Sequence, residues 1–500
     1  MEEKGLINIK ENKISLSEKK GGLKENLPLY FISGLLVLAF SFLASFKSWP
    51  LLDGDAPYFM VPALEFSEGR GLINPVWIPP LDESVDGVGG RRYIYHGFLY
   101  PLLIGRLGAI LGGGGAACLT SIHWFNLVAA LVSAAGVLAF AWGSEIGRKV
   151  FSFALPLVFF VLCEAMMGRP EPIAIFLLGC ALLAGKNISF PKLSGLWCFL
   201  GVLLFFSSPG LGVLGGVLLL LARLRDKQPP RLSDAVWAIG GILGGLLLCS
   251  SVYPYPLVDW FQGVKTYGQN VLFQPAWQGF VPTWITRPQT PFLLVTLAVP
   301  AVMAAATLRH RPEGVSLLRW IASLVVAVVF GGLLFKLAFV KTEASYNAVV
   351  WLPVFLAGIL VCSQSVMKNP LILICLALPL LGWLRSWICL LHQTRENTVG
   401  FAEVQEIIRG KEKEGIQVSR GLFLAVSNPE KVFFEQSHGN PPGIPGWRIE
   451  QQTNRGLREP PEFPGYRLVE NRFGPPIKIL GLPISRTPGG WEYALYRRSD

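Results

Sequence analysis

The sequence predicts an all-α polytopic integral membrane protein of about eleven spans, closed by a small extracytoplasmic α/β domain. Three observations predict it. The 500 residues are 52% hydrophobic and only 15% charged, too apolar for a soluble chain of several domains, in which about a quarter of the residues carry charge. Apolar runs near the roughly 20 residues that cross a bilayer recur between residues 29 and 390. The basic residues fall in short clusters between those runs, and after about residue 391 the chain turns polar, with charges of both signs and many prolines.

Residues 1–28 form a polar, Lys-rich tail. The run at 29–48 is long for a signal-peptide core and lacks a small-residue cleavage site, so it reads as a retained first helix. Further runs occupy 117–141, 150–167, 172–185, 193–207, 209–223, 233–250, 290–307, 315–333, 346–363 and 370–390. If each crosses the membrane, the tail, Arg148-Lys149, Lys186 with Lys192, the group Arg223, Arg225, Lys227 and Arg231, the pair Arg309 and Arg311, and Lys368 all fall on one side. The positive-inside rule makes that side cytoplasmic.

The opposite side then receives 49–95, the turns at 168–171 and 207–209, the segment 251–289, the loop 334–345 and everything after 391. Segment 98–112 is apolar but short and holds Arg106, so it reads as a helix lying at the outer interface. The four glycines at 112–115 are a helix stop and turn; no Lys-Ser/Thr follows them to make a phosphate loop. Segment 251–289, with Tyr253, Tyr255, Trp260, Tyr267, Trp277, Trp284 and several prolines, reads as an interfacial loop packed over the membrane. In the polar end, 399–410 has a helical pattern, and 421–426, 466–472 and 491–498 have strand patterns. Three parts result: a cytoplasmic tail 1–28, a transmembrane domain 29–390 with outer loops 49–116 and 251–289, and an extracytoplasmic α/β domain 391–500.

Several functions fall away. The net charge of +11 sits in loop clusters expected of a membrane protein, which argues against nucleic-acid binding. All eight cysteines lie in or beside apolar runs, which argues against a disulfide framework or a zinc site. Asn187-Ile188-Ser189 matches a glycosylation acceptor but falls on the cytoplasmic side.

The polar groups that carry chemistry collect on the outer side. Asp53 and Asp55 flank Gly54 just beyond the first run, in Leu52-Asp53-Gly54-Asp55-Ala56-Pro57-Tyr58-Phe59. Carboxylates beside lipid are expensive and are retained for a task, and a glycine between them lets both point into one cavity. One can take a proton from a hydroxyl while the other holds geometry or a cation; the plainer reading is that they cap a helix starting near Pro57. Arg169-Pro170-Glu171, in a tight outer turn, offers a phosphate contact and a second acidic group, or else a snorkelling pair. Lys336, Lys341 and Glu343, before Tyr346-Asn347, put positive charge on the side that the general bias avoids, which suits a lipid-linked phosphate, although Lys336 reads equally as a surface lysine. His96 ends the first outer loop; a lone histidine is more often structural than catalytic. The substrate-binding candidates are Tyr58, His96, Arg169, Glu171, Lys341 and Tyr346, beside the catalytic candidates Asp53 and Asp55.

Taken in order, the Asp-Gly-Asp-Ala-Pro-Tyr-Phe loop, the following Ala-Leu-Glu-Phe-Ser-Glu-Gly-Arg-Gly-Leu, the His96-Gly97-Phe98-Leu99-Tyr100-Pro101 start of the interfacial helix, and Gly168-Arg169-Pro170-Glu171 resemble the GT-C glycosyltransferases. Within them the pattern is similar to the bacterial branch of protein O-mannosyltransferases and lipid A aminoarabinose transferases. The architecture matches over about 30–360, the motifs over about 50–110 and 165–180. The resemblance implies an enzyme that takes a sugar from a polyprenyl-phosphate carrier and transfers it, with inversion, to a glycan, lipid or protein acceptor on the outer face of a bacterial inner membrane. It implies that a first-loop acidic residue is the base, here Asp53 or Asp55. Family members often have Asp-Glu where this chain has Gly54-Asp55, so either aspartate fits. Glu171 matches a second acidic position, and Arg169 and Lys341 match basic residues near the carrier phosphate. Some relatives use a divalent metal and many do not; no His/Cys cluster here demands one.

A transporter or flippase for lipid-linked glycans also needs many spans, but it tends to place polar groups and broken helices near the midplane, whereas the charges here gather at outer ends. A ligase joining whole lipid-linked glycans is chemically close to the transferase. A structural protein with a binding tail leaves the loop carboxylates unexplained.

Overall fold

The computed structural model describes residues 31–32, 34–39, 56–74, 92–94, 96–140, 168–185, 190–207, 232–267, 399–434, 443–451, 459–473, 478–479, 482–483 and 492–499. The tail 1–28, Asp53 and Asp55, the runs at 150–167, 209–223 and from 290 to 390, and the loop holding Lys336, Lys341 and Tyr346 lie outside the described residues.

Among the described residues, the apolar part includes α1 Pro57–Ser67, α2 Leu99–Ile110, α3 Gly114–Phe140, α4 Glu171–Gly185, α5 Phe190–Ser207, α6 Leu232–Val252 and α7 Leu257–Tyr267. Prolines open several of them, at Pro57, Pro172 and Pro191, where the missing N–H has no intrahelical partner to lose. Glycines at positive φ, Gly112 (103°), Gly113 (77°) and Gly114 (81°), turn the chain sharply from α2 into α3. Among the described residues, two helices are long and apolar enough to cross a membrane: Gly114–Gly136, with mean hydropathy 1.5, and Leu232–Val252, with 1.9. They differ in surroundings. Helix α3 sits inside the bundle, whereas α6 leaves Val236, Trp237, Ile239, Ile242, Leu243 and Leu247 exposed, a surface suited to lipid.

Two pairs of helices pack closely through glycine. In the first, Ser133 Oγ of α3 donates to the Ile175 carbonyl of α4, and a Cβ on Gly136 would run into the backbone of Gly179. In the second, Ser194 Oγ of α5 donates to the Asp234 carbonyl of α6 (3.0 Å), a Cβ on Gly195 would lie 2.7 Å from the Trp237 carbonyl, and one on Gly245 would lie 2.8 Å from Val202 Cβ. In both pairs the residue numbers rise together, so each pair runs parallel. Small residues at the seam let the backbones approach, as membrane helices without a hydrophobic driving force require.

Helix α1 is largely buried, with Met60 and Ala63 at 0% exposure and Val61 and Leu64 at 2%. It crosses α2 closely enough that a Cβ on Gly105 would sit 2.8 Å from the Ala63 carbonyl. The segment expected as an interfacial helix at 98–112 is α2, with Tyr100, Pro101, Leu102, Ile104, Gly105 and Gly108 buried. The segment expected as a loop from 251 is instead the end of α6, a Pro-containing corner and α7 over its described part. The aromatic content that suggested a loop serves to pack that corner against 92–98.

The C-terminal part consists of helix α8 Phe401–Lys411 and strands β1 Ile416–Val418, β2 Phe433–Phe434, β3 Trp447–Glu450, β4 Tyr466–Asn471, β5 Lys478–Ile479, β6 Leu482–Pro483 and β7 Ala494–Arg498. The five-stranded sheet has the order β2-β1-β3-β7-β4, parallel at β1/β2 and β1/β3 and antiparallel at β3/β7 and β7/β4. Helix α8 covers it through Val404 and Ile408. The strand expected at 421–426 is a 3-10 helix, Arg420–Ala425, in which the amides of Leu422 and Val426 bond back to the Ser419 and Phe423 carbonyls. Its apolar run is buried because it lies between the sheet layer and the helical bundle, and it belongs to the crossover that the parallel β1/β2 pair requires.

Candidate functional site

Asp55 leads directly into Ala56, which is fully buried at the head of α1. Asp53 and Asp55 themselves lie outside the described residues. Ala56 has a helical backbone and no side-chain cap.

In the first turn of α1, Tyr58 and Phe59 meet His96, which stands just ahead of α2, with ring centroids 6.0 and 5.3 Å apart. Two of the expected substrate-binding residues, Tyr58 and His96, thus share one corner. The corner is held from behind by the segment that follows α6. Trp260 Nε1 donates to the His96 carbonyl (2.7 Å), Tyr253 Oη to the Tyr93 carbonyl (2.8 Å), and Tyr255 Oη to the Leu72 carbonyl (3.0 Å). Phe98 stacks on Tyr253 at 4.1 Å, and Phe206 stands 4.7 Å from the fully buried Trp260. Arg92 ties the same segment to α7 through Asp259 (3.3 Å) while lying over the Tyr255 ring. Burial pushes the Tyr253 hydroxyl well above the ordinary phenol value, and the nearby Tyr255 and Asp259 add to it against the Arg92 charge. Burial raises Tyr255 too, opposed by Arg92. Both stay protonated donors at neutral pH.

The other end of α1 carries a charge cluster with no assigned role in the sequence reading. Glu65 is 2% exposed and receives both sides of the Arg70 guanidinium, Nη2 at 2.9 Å from Oε1 and Nε against Oε2. Glu68 joins Arg70 from the solvent side. The Glu65 hydrogen bond, ahead of the other charges, pushes the Arg70 guanidinium further above its ordinary value. The sequence signal was an acidic residue inside an otherwise apolar helix followed by a basic one just past its end.

Arg169 is 2% exposed, in the turn after Gly168 (φ 79°), and Glu171 opens α4. About two turns back along both parallel helices from the Ser133–Ile175 contact, this turn comes level with the part of α3 that carries His123 and Asn126, which are 3% and 0% exposed. The sequence assigns those two polar residues no role, since they sit inside a run long and apolar enough to read as a span. Tyr58 and His96 are thus brought together, Arg169 is buried in the turn ahead of α4, and Asp53, Asp55, Lys341 and Tyr346 lie outside the described residues. Among the described residues, no group of three or more His, Cys, Asp or Glu side chains is arranged to hold a metal ion.

No family model matches the chain, and no curated protein does. Among solved structures, the chain is similar to the single-particle cryo-EM structure of the arabinofuranosyltransferase AftD from Mycobacteria, with 12% sequence identity and a TM-score of 0.44. The similarity covers 94% of this chain and 40% of that one, so the chain spans well under half the length of the protein it matches.

Proposed function

We propose that the protein is a membrane glycosyltransferase that moves a sugar from a polyprenyl-phosphate carrier to a glycan, lipid or protein acceptor on the extracytoplasmic face. The observation that carries this reading is the aromatic corner of Tyr58, Phe59 and His96 at the start of a largely buried helix, which follows Asp53-Gly54-Asp55 directly in the sequence. A carrier with a long isoprenoid tail stays in the bilayer with its phosphate at headgroup level, where a helical enzyme with polar groups at its outer ends meets it.

In the proposed reaction, one aspartate removes the proton from an acceptor hydroxyl as its oxygen attacks the anomeric carbon. The new C–O bond forms on the face opposite the departing phosphate, which leaves with the bonding electrons as polyprenyl phosphate, and the anomeric centre inverts. The second aspartate holds the acceptor or a divalent cation, Arg169 and Lys341 balance the charge of the leaving phosphate, and Glu171, Tyr58, His96 and Tyr346 shape the sugar site.

The orientation proposed has the N-terminus in the cytoplasm and the C-terminal domain outside, in a bacterial inner membrane. It rests on the basic clusters between the apolar runs; the parallel course of α3 with α4 and of α5 with α6 agrees with the order of crossings expected from the sequence and is the same for either orientation. Membranes containing Asp53→Asn or Asp55→Asn, supplied with labelled polyprenyl-phosphate sugars, are expected to lose transfer while the protein remains folded. Full activity in both single variants and the double variant sinks the assignment.

A further inference from the structure

Two parts of the C-terminal domain converge on one residue of the helical bundle. The Leu424 carbonyl oxygen occupies the space that a Cβ on Gly115 would need, and Phe401 Cζ lies 3.2 Å from the same point. Gly115 stands in the first turn of α3 and, unlike the three glycines before it, has no positive φ. Its own backbone therefore does not ask for glycine; the close approach of another chain segment does. That segment is the 3-10 turn Arg420–Ala425, whose Leu422, Phe423, Leu424 and Ala425 are exposed by 2% or less. The turn packs on both α1 and α3, and its side chains form one continuous core with Met60, Val61 and Leu64.

Helix α1 is poorly held by its own sequence. It has 11 residues, prolines at 57 and 62, and no side-chain cap. A helix this short, with an interior proline that removes a backbone hydrogen bond, takes its position from what surrounds it. We infer that the turn Arg420–Ala425 is a docking wedge that seats the C-terminal domain on α1 and α3, that Gly115 is the residue that admits it, and that this seat positions α1, the helix that carries Tyr58 and follows Asp53-Gly54-Asp55 in the sequence. The docking stands on the packing alone; the positioning for chemistry rests on the proposed function.

The substitution that tests this is Gly115→Ala in the full-length protein in detergent or nanodiscs, with hydrogen exchange followed by mass spectrometry. Alanine is the better helix former, so an undocked α3 would tolerate or welcome it. A docked one cannot accept it without displacing the Leu424 backbone. The expected result is exchange faster by about tenfold or more in peptides covering 420–426 and α1, with α5 and α6 unchanged. Gly410→Ala, on the same domain with nothing within 4 Å of the new Cβ, is expected to leave the pattern intact. Leu424→Asp attacks the seam from the other side and is expected to reproduce the local change, which separates undocking from misfolding of the Gly115 variant. Unchanged exchange in both Gly115→Ala and Leu424→Asp overturns the docking.

For the positioning, kcat per folded molecule is expected to fall about tenfold in Gly115→Ala and KM for the sugar donor to rise with it, because α1 both follows the proposed base and carries Tyr58 of the proposed sugar site. Faster exchange with unaltered kcat overturns the positioning and leaves the docking standing. If the unmutated protein transfers no sugar, the proposed function fails, and the exchange data still decide the docking.

Discussion

Removing the Arg70 guanidinium leaves Glu65 as an uncompensated carboxylate at the buried end of α1. The Glu65 side chain is 3% exposed, and that of Arg70 is 44% exposed. Breaking a fully buried ion pair by deleting one partner costs about 3–5 kcal/mol. Here the outer half of the guanidinium is wet and water can follow it inward, so a loss of about 2 kcal/mol is expected for Arg70→Met. That corresponds to about a 30-fold rise in the unfolded or locally open population. The assay is equilibrium unfolding in detergent combined with exchange in the peptide spanning α1. The double variant Glu65→Gln/Arg70→Met supplies the internal comparison. Once the carboxylate charge is gone, the missing guanidinium matters less, so the double variant is expected to be more stable than Arg70→Met alone. Stability of Arg70→Met within about 0.5 kcal/mol of the parent refutes the reasoning, since that is the range of an ordinary surface substitution. A double variant no better than the single one refutes the electrostatic account specifically.

Trp260→Phe keeps most of the buried ring but strips the donor from the His96 carbonyl, and is expected to cost about 1–3 kcal/mol and to loosen the Tyr58–His96 corner, read as faster exchange at 92–98. Tyr253 has its hydroxyl raised above the ordinary value of 10.0 by burial; the folded state therefore holds this proton more tightly than the unfolded state, and stability falls as pH climbs above about 10. Tyr253→Phe is expected to flatten that alkaline loss, measured by unfolding at a series of pH values, while costing about 1 kcal/mol at neutral pH for the lost hydrogen bond to Tyr93. Gly195→Ala presses a methyl group on the Trp237 carbonyl and is expected to destabilise the α5/α6 pair by about 1–3 kcal/mol. Gly240→Ala, with nothing within 4 Å, is expected to be neutral or stabilising in the same thermal assay.

Much of the helical part was legible in one dimension. The runs expected at 117–141, 172–185, 193–207 and 233–250 appear as helices at Gly114–Phe140, Glu171–Gly185, Phe190–Ser207 and Leu232–Val252. Their ends are written in local chemistry: prolines in the first turn and glycines at positive φ between α2 and α3. In the C-terminal domain, the helix expected at 399–410 and the strands expected near 466–472 and 491–498 are α8, β4 and β7. The run at 421–426 was misread because a short apolar stretch buried on every side carries no period; Leu422, Phe423 and Leu424 face different neighbours at once. Helix α7 was hidden for a related reason, as its aromatic residues resemble an interfacial loop in composition until Trp260 is seen to hold the His96 carbonyl.

By itself the sequence determined which stretches prefer an apolar surrounding, where helices begin and stop, and which charged residues stand at the ends of those stretches. These are properties of neighbouring residues and of transfer from water, and they require no knowledge of the fold. The tertiary structure alone decided that α3 and α4, and α5 and α6, run side by side in the same direction, that Glu65 and Arg70 form a two-sided pair, that His96 meets Tyr58, and that Gly115 gives way to Leu424. The physical reason is that close packing and buried hydrogen bonds are contacts between segments far apart in the chain. A glycine reads the same in sequence whether its missing Cβ serves a turn, as at Gly113, or makes room for another backbone, as at Gly115.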